Sequence, residues 1–398
     1  MKHERAPALL ALLSLGYAAC ARLALAPLRR LSPDEAFYLC AARRGWPIVD
    51  HPPLLGSLLT IADRLPFGLE VRVRLVAVLL QAGTALLIGL LAATIDSEGA
   101  TGRDRRFAFG VFFATWGLMP WVSGLIATPD APLLAATAGA LVFAGRRDAG
   151  ARLGLLLCLA LAVSAKATGL VVGLAIAFDL RRTDRVGAAI ALLGAALPLP
   201  LVWPSLVAQL GHVLGVGALI SAPRIGPLPA LGALLGGILL LFGPATCWCA
   251  ARGRRSLALL PGATPLVVVL GVATMLSALV SGRAPEPNWI APAFVPLFAI
   301  AAAEADLGEE HHRRGWLVAH VAPALLGIAL WSSHARLHPD PLGRVPRLDQ
   351  EPDGALQLPR YGAPAWSCLY DRDCQNIDVM LSTYNLTLKA RSQQISDR

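Results

Sequence analysis

The sequence predicts an all-α polytopic membrane protein with about eleven transmembrane helices. Hydrophobic residues make up 56% of the 398 residues and charged residues only 15%, whereas a soluble domain has about 25% charged residues. The mean hydropathy is +0.59, and apolar runs recur along most of the chain. The net charge of +9 does not indicate a nucleic-acid partner, because the basic residues flank the apolar runs and do not collect on one soluble face.

Each predicted span is an apolar run approaching the length of about 20 residues that a bilayer requires. The first span lacks a small-residue cleavage site before Arg29, so we expect a retained anchor and not a removed signal peptide. The predicted spans are residues about 6–28, 71–95, 107–120, 129–145, 151–164, 168–180, 186–203, 228–250, 257–281, 289–304 and 315–333.

Two kinds of loop alternate between these spans. One kind is short and basic, and the positive-inside rule places it in the cytoplasm. The other kind is then outside, including a first outer loop over 29–70, which is itself rich in arginine and so weakens the rule locally. The basic loops contain Arg103, Arg105 and Arg106; Arg146, Arg147 and Arg152; Arg181, Arg182 and Arg185; Arg252, Arg254 and Arg255; and Arg313 and Arg314.

The alternation predicts two regions of unequal size. Residues 1–333 are expected to form the transmembrane core, and residues 334–398 a short tail on the outer face. Cys368 and Cys374 lie close together in this tail, where an oxidising compartment would favour a disulfide. Two free thiols are the alternative.

One pair of predicted spans is too short to cross the bilayer fully. Arg152 and Arg181 both belong to the cytoplasmic side, so the chain between them must cross and return. Two helices of about 14 residues each reach only about 21 Å, against a hydrocarbon core of about 30 Å. The turn with Lys166 is therefore predicted to lie recessed, where a lysine needs a partner anion. A snorkelling lysine is the alternative.

The outer loops carry the polar residues that could act in catalysis or binding. Asp34 and Glu35 follow the first span directly, and Asp50 and His51 come about fifteen residues later. Ionisable groups beside lipid are costly and indicate a functional site. The structural alternatives are a first-turn acid for Asp34 and a rigid turn around His51.

Further polar groups fall on the same face. Asp130 opens the fourth span, and it too has the alternative of a first-turn acid. Arg224 and His212 lie in the predicted loop 204–227, where His212 has the alternative of an ordinary interfacial residue. Trp289 opens the tenth span and has the alternative of a member of the aromatic belt.

The order of short motifs resembles one family. The motifs are Asp34-Glu35, Asp50-His51-Pro52-Pro53, Thr128-Pro129-Asp130-Ala131-Pro132, Ser164-Ala165-Lys166-Ala167-Thr168-Gly169 and Pro287-Asn288-Trp289. Together they resemble the bacterial membrane glycosyltransferases related to protein O-mannosyltransferases and to the aminoarabinose transferases of lipid A. The similarity covers about residues 1–305. It implies a C-type glycosyltransferase fold, two amphipathic helices in the first outer loop, and a donor sugar linked to polyprenyl phosphate.

The resemblance also implies roles for the acids. The acid at the position of Asp34 is catalytic, and we expect it to act as the general base toward the acceptor hydroxyl. Glu35 is expected to orient Asp34 or the acceptor. Asp130 is the second catalytic acid, either orienting or contacting substrate.

Other residues are expected to bind the substrate. Lys166, supported by Arg224, is placed to stabilise the developing charge of the lipid phosphate, and Trp289 completes this binding face. Asp50 and His51 either hold the phosphate or bind a divalent metal with Glu35 or His212. No cofactor is assigned, because the spacing is diagnostic of no particular ion.

The predicted function is therefore sugar transfer from a polyprenyl-phosphate donor to a hydroxyl of a glycolipid, polysaccharide or protein. The transferred sugar is expected to be a hexose or pentose, and the enzyme to lie in a bacterial inner membrane with its site facing the periplasm. A lipid or sugar transporter or flippase is the alternative, although such proteins commonly show internal repeats, and the sequence shows none.

Overall fold

The computed structural model describes residues 6–28, 30–43, 51–95, 99–213, 225–283, 285–307 and 310–332. Within these ranges the regular elements are all helices. The predicted tail over 334–398, Asp50 and Arg224 lie outside the described residues. The α-helices are α1 Ala6–Leu25, α2 Pro33–Arg43, α3 Leu54–Ala62, α4 Leu69–Thr94, α5 Gly99–Trp116, α6 Leu118–Ser123, α7 Asp130–Ala144, α8 Ala149–Ala165, α9 Thr168–Leu180, α10 Arg185–Ala196, α11 Leu199–Val213, α12 Pro227–Phe242, α13 Pro244–Arg252, α14 Arg254–Leu257, α15 Ala263–Ser281, α16 Ala291–Leu307 and α17 Glu310–Ser332.

A helix or bent helix pair lies at each of the predicted spans. Four helical segments of the described chain are long and apolar enough to cross a membrane, or up to six if each of two bent pairs is one span. Shorter apolar helices include α7, α8 and α9. The all-α polytopic architecture is confirmed, and a count of eleven crossings stays a prediction. The first outer loop carries α2 and α3, at the place where two amphipathic helices were expected.

Two of the predicted spans, 186–203 and 228–250, each contain a sharp bend between two helices. The helices α10 and α11 meet at 65°, and α12 and α13 meet at 93°. At the second bend Gly243 has a φ of 81°, a backbone conformation that strongly favours glycine. Pro244 follows and has no N–H to continue the preceding helix.

The first part of the predicted outer loop over 204–227 is helical. Helix α11 passes through Pro204 and continues to Val213, so His212 lies on a helix. The apolar residues after Pro204 keep a helical spacing, and a proline can kink a helix without ending it.

Helix α4 lies at the centre of the bundle and packs against α1, α5, α7 and α16. It approaches α5 most closely where Gly89 faces Gly110. A Cβ on Gly110 would lie 2.8 Å from the Cα of Gly89. The two backbones therefore touch, which is the packing that small residues permit between membrane helices.

Helix α1 contributes a fully buried arginine, Arg22. Its Nη2 donates to the carbonyl oxygens of Thr115 at 2.8 Å and Pro120 at 3.3 Å, where α5 ends and α6 begins. Its guanidinium carbon lies 4.5 Å from the ring centroid of Trp121. Carbonyls at a helix C-terminus attract a cation, so Arg22 fastens α1 to the α5–α6 connection.

A buried histidine joins the last described helix to the bundle. In α17, His320 Nε2 lies 2.8 Å from the carbonyl oxygen of Phe113, and its Nδ1 lies 3.2 Å from the Thr246 hydroxyl. A carbonyl only accepts, so Nε2 carries the proton and Nδ1 accepts from Thr246. Both ring nitrogens of this neutral tautomer are satisfied, which fits a structural role.

Candidate active site

The acidic pair after the first span begins helix α2. The Ser32 N–H donates to Glu35 Oε2 at 2.8 Å, and the Glu35 N–H donates to the Ser32 hydroxyl at 3.2 Å. These reciprocal bonds form a capping box, with Pro33 at the first helical position, where a missing N–H costs nothing. Asp34 is consequently held in the first turn and is half-buried.

Glu35 is fully buried and is paired with a fully buried Arg74 from α4. Arg74 Nη2 lies 3.1 Å from Glu35 Oε2, and Arg74 Nε donates to Glu35 Oε1 at 3.2 Å. Arg74 also donates to the carbonyls of Ala26 and, at 2.8 Å, Arg30. One side chain of α4 thus fixes the whole connection between α1 and α2.

The same carboxylate reaches the segment that precedes α7. The Ala127 N–H donates to Glu35 Oε1 at 3.1 Å, and Ala127 is three residues before Asp130. Leu54 of α3 packs against Leu133 and Ala165, so the first outer loop also contacts α7 and α8. The two acidic motifs are therefore parts of one connected structure.

Asp130 and Lys166 form a buried ion pair. Lys166 Nζ lies 2.8 Å from Asp130 Oδ1, with 10% of the lysine side chain and 6% of the aspartate side chain exposed. Asn288 Nδ2 donates to the second oxygen, Oδ2, at 2.9 Å. Both oxygens of Asp130 therefore accept hydrogen bonds. One comes from the lysine that ends α8, and the other comes from the Pro287–Ile290 turn.

A tight turn joins α8 and α9 at Lys166, where the sequence predicts one, and the depth of this turn in the membrane stays a prediction. Helix α8 has 17 residues and α9 has 13, which gives lengths of about 26 and 20 Å. Lys166 is the extended residue that ends α8, and Asp130 is the partner anion that a recessed lysine requires. A side chain on Gly169 would overlap the backbone of Ala162, so this tight turn needs the glycine.

His51 lies near the face of α2 that carries Asp34. Its ring centroid is 5.7 Å from that of Tyr38, in an edge-on arrangement. Tyr38 is four residues after Asp34, and residues at this spacing share a helix face. Among the described residues, no group of three or more His, Cys, Asp or Glu side chains could hold a metal ion, and the side chain of His212 is outside the description.

A surface ion-pair cluster holds the ends of α2 and α3 together. Arg43 Nε lies 2.7 Å from Asp63 Oδ2, and Arg72 at the start of α4 lies 3.4 Å from Asp63 Oδ1. The hydrogen bond from Arg43 lowers the pKa of the Asp63 carboxyl below its ordinary value. The same contact raises the pKa of the Arg43 guanidinium. The two loop helices are thus clamped to the start of α4.

The described site contains three residues, Ser32, Arg74 and Asn288, for which the sequence predicts no role. Ser32 and Glu35 match the Ser-x-x-Glu capping pattern, which is readable locally. Arg74 interrupts an apolar run, a signal that a buried charge needs a partner. Asn288 stands beside the predicted Trp289, and it is Asn288 whose side chain bonds to Asp130.

A cavity lies one helical turn beyond the ion pair. Leu134 and Ala291 line it, together with Gln81 and Thr84 of α4. Its volume of about 10 Å³ gives room for about one water molecule. It is far too small to hold an organic ligand.

The fold matches solved structures of membrane enzymes. ArnT from Cupriavidus metallidurans in the apo state superposes with a TM-score of 0.57 at 18% identity, over 96% of this chain and 74% of ArnT. The same protein bound to undecaprenyl phosphate gives a TM-score of 0.54 at 18% identity, over 95% and 72% of the two chains. The oligosaccharyltransferase of Archaeoglobus fulgidus in the apo form gives 0.53 at 14% identity, over 93% and 59%.

No family model matches the sequence, and no curated protein matches it. The structural likeness nevertheless covers 93–96% of this chain. It confirms the predicted C-type glycosyltransferase fold, and the protein has the architecture of these polytopic membrane glycosyltransferases.

Proposed function

We propose that this protein is a glycosyltransferase that moves a sugar from a polyprenyl-phosphate donor to a hydroxyl acceptor at the outer face of a bacterial inner membrane. The buried Asp130–Lys166 pair, joined through Glu35 to the start of α2, carries this proposal. The fold adds support, since one of the matching ArnT structures holds undecaprenyl phosphate.

Lys166 is the group we assign to the lipid phosphate. The oxygen that links the sugar to the phosphate gains negative charge as the bond to C1 of the sugar breaks, and a fixed cation stabilises that charge. Asp130 holds the ammonium in place at 2.8 Å. The pair is mostly withdrawn from water, which strengthens its field.

Asp34 is the group we assign to the acceptor. The acceptor oxygen attacks C1, the electron pair of the C1–O bond leaves with the lipid phosphate, and the acceptor proton moves to the Asp34 carboxylate. Glu35 is a positioning residue in this proposal, because its carboxylate already bonds to Ser32, Arg74 and Ala127. We also propose, from the sequence alone, that Arg224 and Asp50 contact the donor phosphate.

The outer-face assignment rests on the loops. Lys166 ends α8 at the opposite end from Arg152, and α9 returns toward Arg181. The positive-inside rule puts both arginines in the cytoplasm, so the Asp130–Lys166 pair belongs to the outer half of the membrane.

A turnover assay in membranes separates the enzyme from a flippase. Membranes containing the protein are incubated with radiolabelled undecaprenyl-phosphate sugars, and the label is followed into hydrolysed or transferred products. Bond cleavage that depends on the protein supports the proposal. Translocation of intact donor without cleavage would identify a flippase and overturn it.

A further inference from the structure

The side-chain amide of Asn288 has one end satisfied and one end unsatisfied. Its Nδ2 donates to Asp130 Oδ2 at 2.9 Å. Its Oδ1 is buried and has no hydrogen-bond partner among the described residues. A buried acceptor without a donor is costly. A ligand group that donates a hydrogen bond to Oδ1 would remove this cost.

The orientation of this amide follows from chemistry. Asp130 also accepts from Lys166, as an ionised carboxylate does, and an ionised carboxylate has no hydrogen to donate. A reversed Asn288 amide would place two acceptors against each other. The Nδ2 therefore faces Asp130, and the carbonyl Oδ1 faces away from it.

The unfilled position selects one kind of ligand group. A carbonyl oxygen accepts from an O–H or N–H and repels the oxygens of a phosphate. Lys166, on the other oxygen of the same carboxylate, has the opposite preference and favours an anion. The two neighbours of Asp130 thus present an anion-binding point and a donor-binding point beside the two oxygens of one carboxylate.

We infer that Asn288 Oδ1 accepts a hydrogen bond from a hydroxyl or amine of the donor's sugar ring and so contributes to sugar specificity. This inference rests on the proposed function, in which Lys166 binds the lipid phosphate. The sugar is bonded directly to that phosphate, so its ring substituents lie within reach of the second position. The acceptor need not approach Asn288.

A cycle of variants and donor analogues tests the hydrogen bond. The donors are undecaprenyl phosphate carrying a hexose or pentose, and the same donors with one hydroxyl or amine at a time replaced by hydrogen. Cleavage is measured as kcat/KM for the wild type and for Asn288→Ala in membranes. Asn288→Ser is the second variant if Asn288→Ala is poorly produced.

The expected result is coupling at one ring position. For the wild type, removing that group lowers kcat/KM roughly 10- to 100-fold, since a site built around a hydrogen bond rejects an analogue that lacks it. For the Asn288→Ala variant, kcat/KM is expected to be the same for the parent donor and for that analogue. The control Thr274→Val removes a buried hydroxyl that bonds only within α15 at 2.6 Å, and it retains the wild-type discrimination.

Two contrary results are distinguishable. If the wild type cleaves the donors but Asn288→Ala slows every donor and analogue by one common factor, Asn288 has a structural role and the inference is overturned. If the wild type cleaves none of the polyprenyl-phosphate sugars, the proposed function fails first.

Discussion

Glu35 Oε2 lies 3.1 Å from Arg74 Nη2, and neither side chain has any exposed surface. The pair binds the start of α2 to α4 and, through Ala127, to the segment before α7. Removing one member of a buried pair leaves an uncompensated charge, whereas removing both does not. The first outer loop consequently depends on a contact between residues 39 positions apart.

A double-variant cycle on this pair measures that dependence. Arg74→Met alone is expected to lower the free energy of unfolding by about 3–5 kcal/mol, because it strands the Glu35 charge. Adding Glu35→Gln to it is expected to restore part of the loss. Thermal unfolding in detergent gives the values, and strictly additive losses would contradict a direct coupling.

Asp34→Asn is expected to remove the general base. Sugar transfer should fall by a factor of at least about 100, while membrane insertion and expression stay normal. The matched control is Asp148→Asn, which keeps a good N-cap at an exposed residue that caps α8. Substantial residual sugar transfer by the Asp34→Asn variant would show that Asp34 is not the general base.

Lys166→Ala is expected to impair use of the donor most. The substitution removes the cation assigned to the lipid phosphate and leaves Asp130 buried without its partner. Donor KM and kcat are measured with a polyprenyl-phosphate sugar, with Arg146→Ala at an exposed ion pair as the control. Survival of both donor affinity and turnover would show that Lys166 does not bind the phosphate.

Gly243→Ala is expected to destabilise the break between α12 and α13. With a φ of 81° and a ψ of 139°, Gly243 has a backbone conformation essentially restricted to glycine, which costs a residue with a Cβ about 1–3 kcal/mol. The comparison is Gly236→Ala within α12, where an added Cβ meets nothing within 4 Å and helix propensity favours alanine by up to about 1 kcal/mol. Opposite shifts of the unfolding temperature are expected, and a fall of equal size in both variants would contradict the explanation.

The Arg43–Asp63 clamp is expected to weaken in acid. The folded pKa of Asp63 lies below its ordinary value of 3.8, so its stabilisation is complete above that value and is lost as the pH falls through the lower, folded pKa. Because both side chains are partly exposed, the contribution is at most about 1 kcal/mol. Unfolding of the wild type and Asp63→Asn, measured at pH 7 and at pH 3, should differ more at pH 7. An equal difference at both pH values would exclude the ion pair as the cause.

The sequence predicts local features of the fold better than long-range contacts. The lengths of α8 and α9 and the polar turn between them follow from the apolar runs and their basic ends. The identity of the anion beside Lys166 does not, because Asp130 is 36 residues away and Asn288 is 158 residues from Asp130. Only the packing of α7, α8 and α16 brings these groups together.

Two features that the sequence prediction did not include nevertheless have local signals. The Gly243-Pro244 dipeptide is itself a signal for a helix break, yet hydropathy alone treats 228–250 as one span. Likewise, the spacing of Ser32 and Glu35 indicates a capping box, which assigns Glu35 a structural bond in addition to any role near the substrate. Hydropathy averages over such signals because it weighs residues and not backbone geometry.

Arg22 has a consequence for how the chain is made. Its carbonyl partners at Thr115 and Pro120 lie 93 and 98 residues later in the sequence. Arg22 is therefore synthesised before the two residues whose carbonyls it binds. Arg22 lies in the last turn of α1, where an arginine costs less on insertion than the roughly 2.5–3.5 kcal/mol of one at the centre of a span. Its carbonyl partners become available only when α5 and α6 emerge, so the docking of α1 is expected to follow their synthesis.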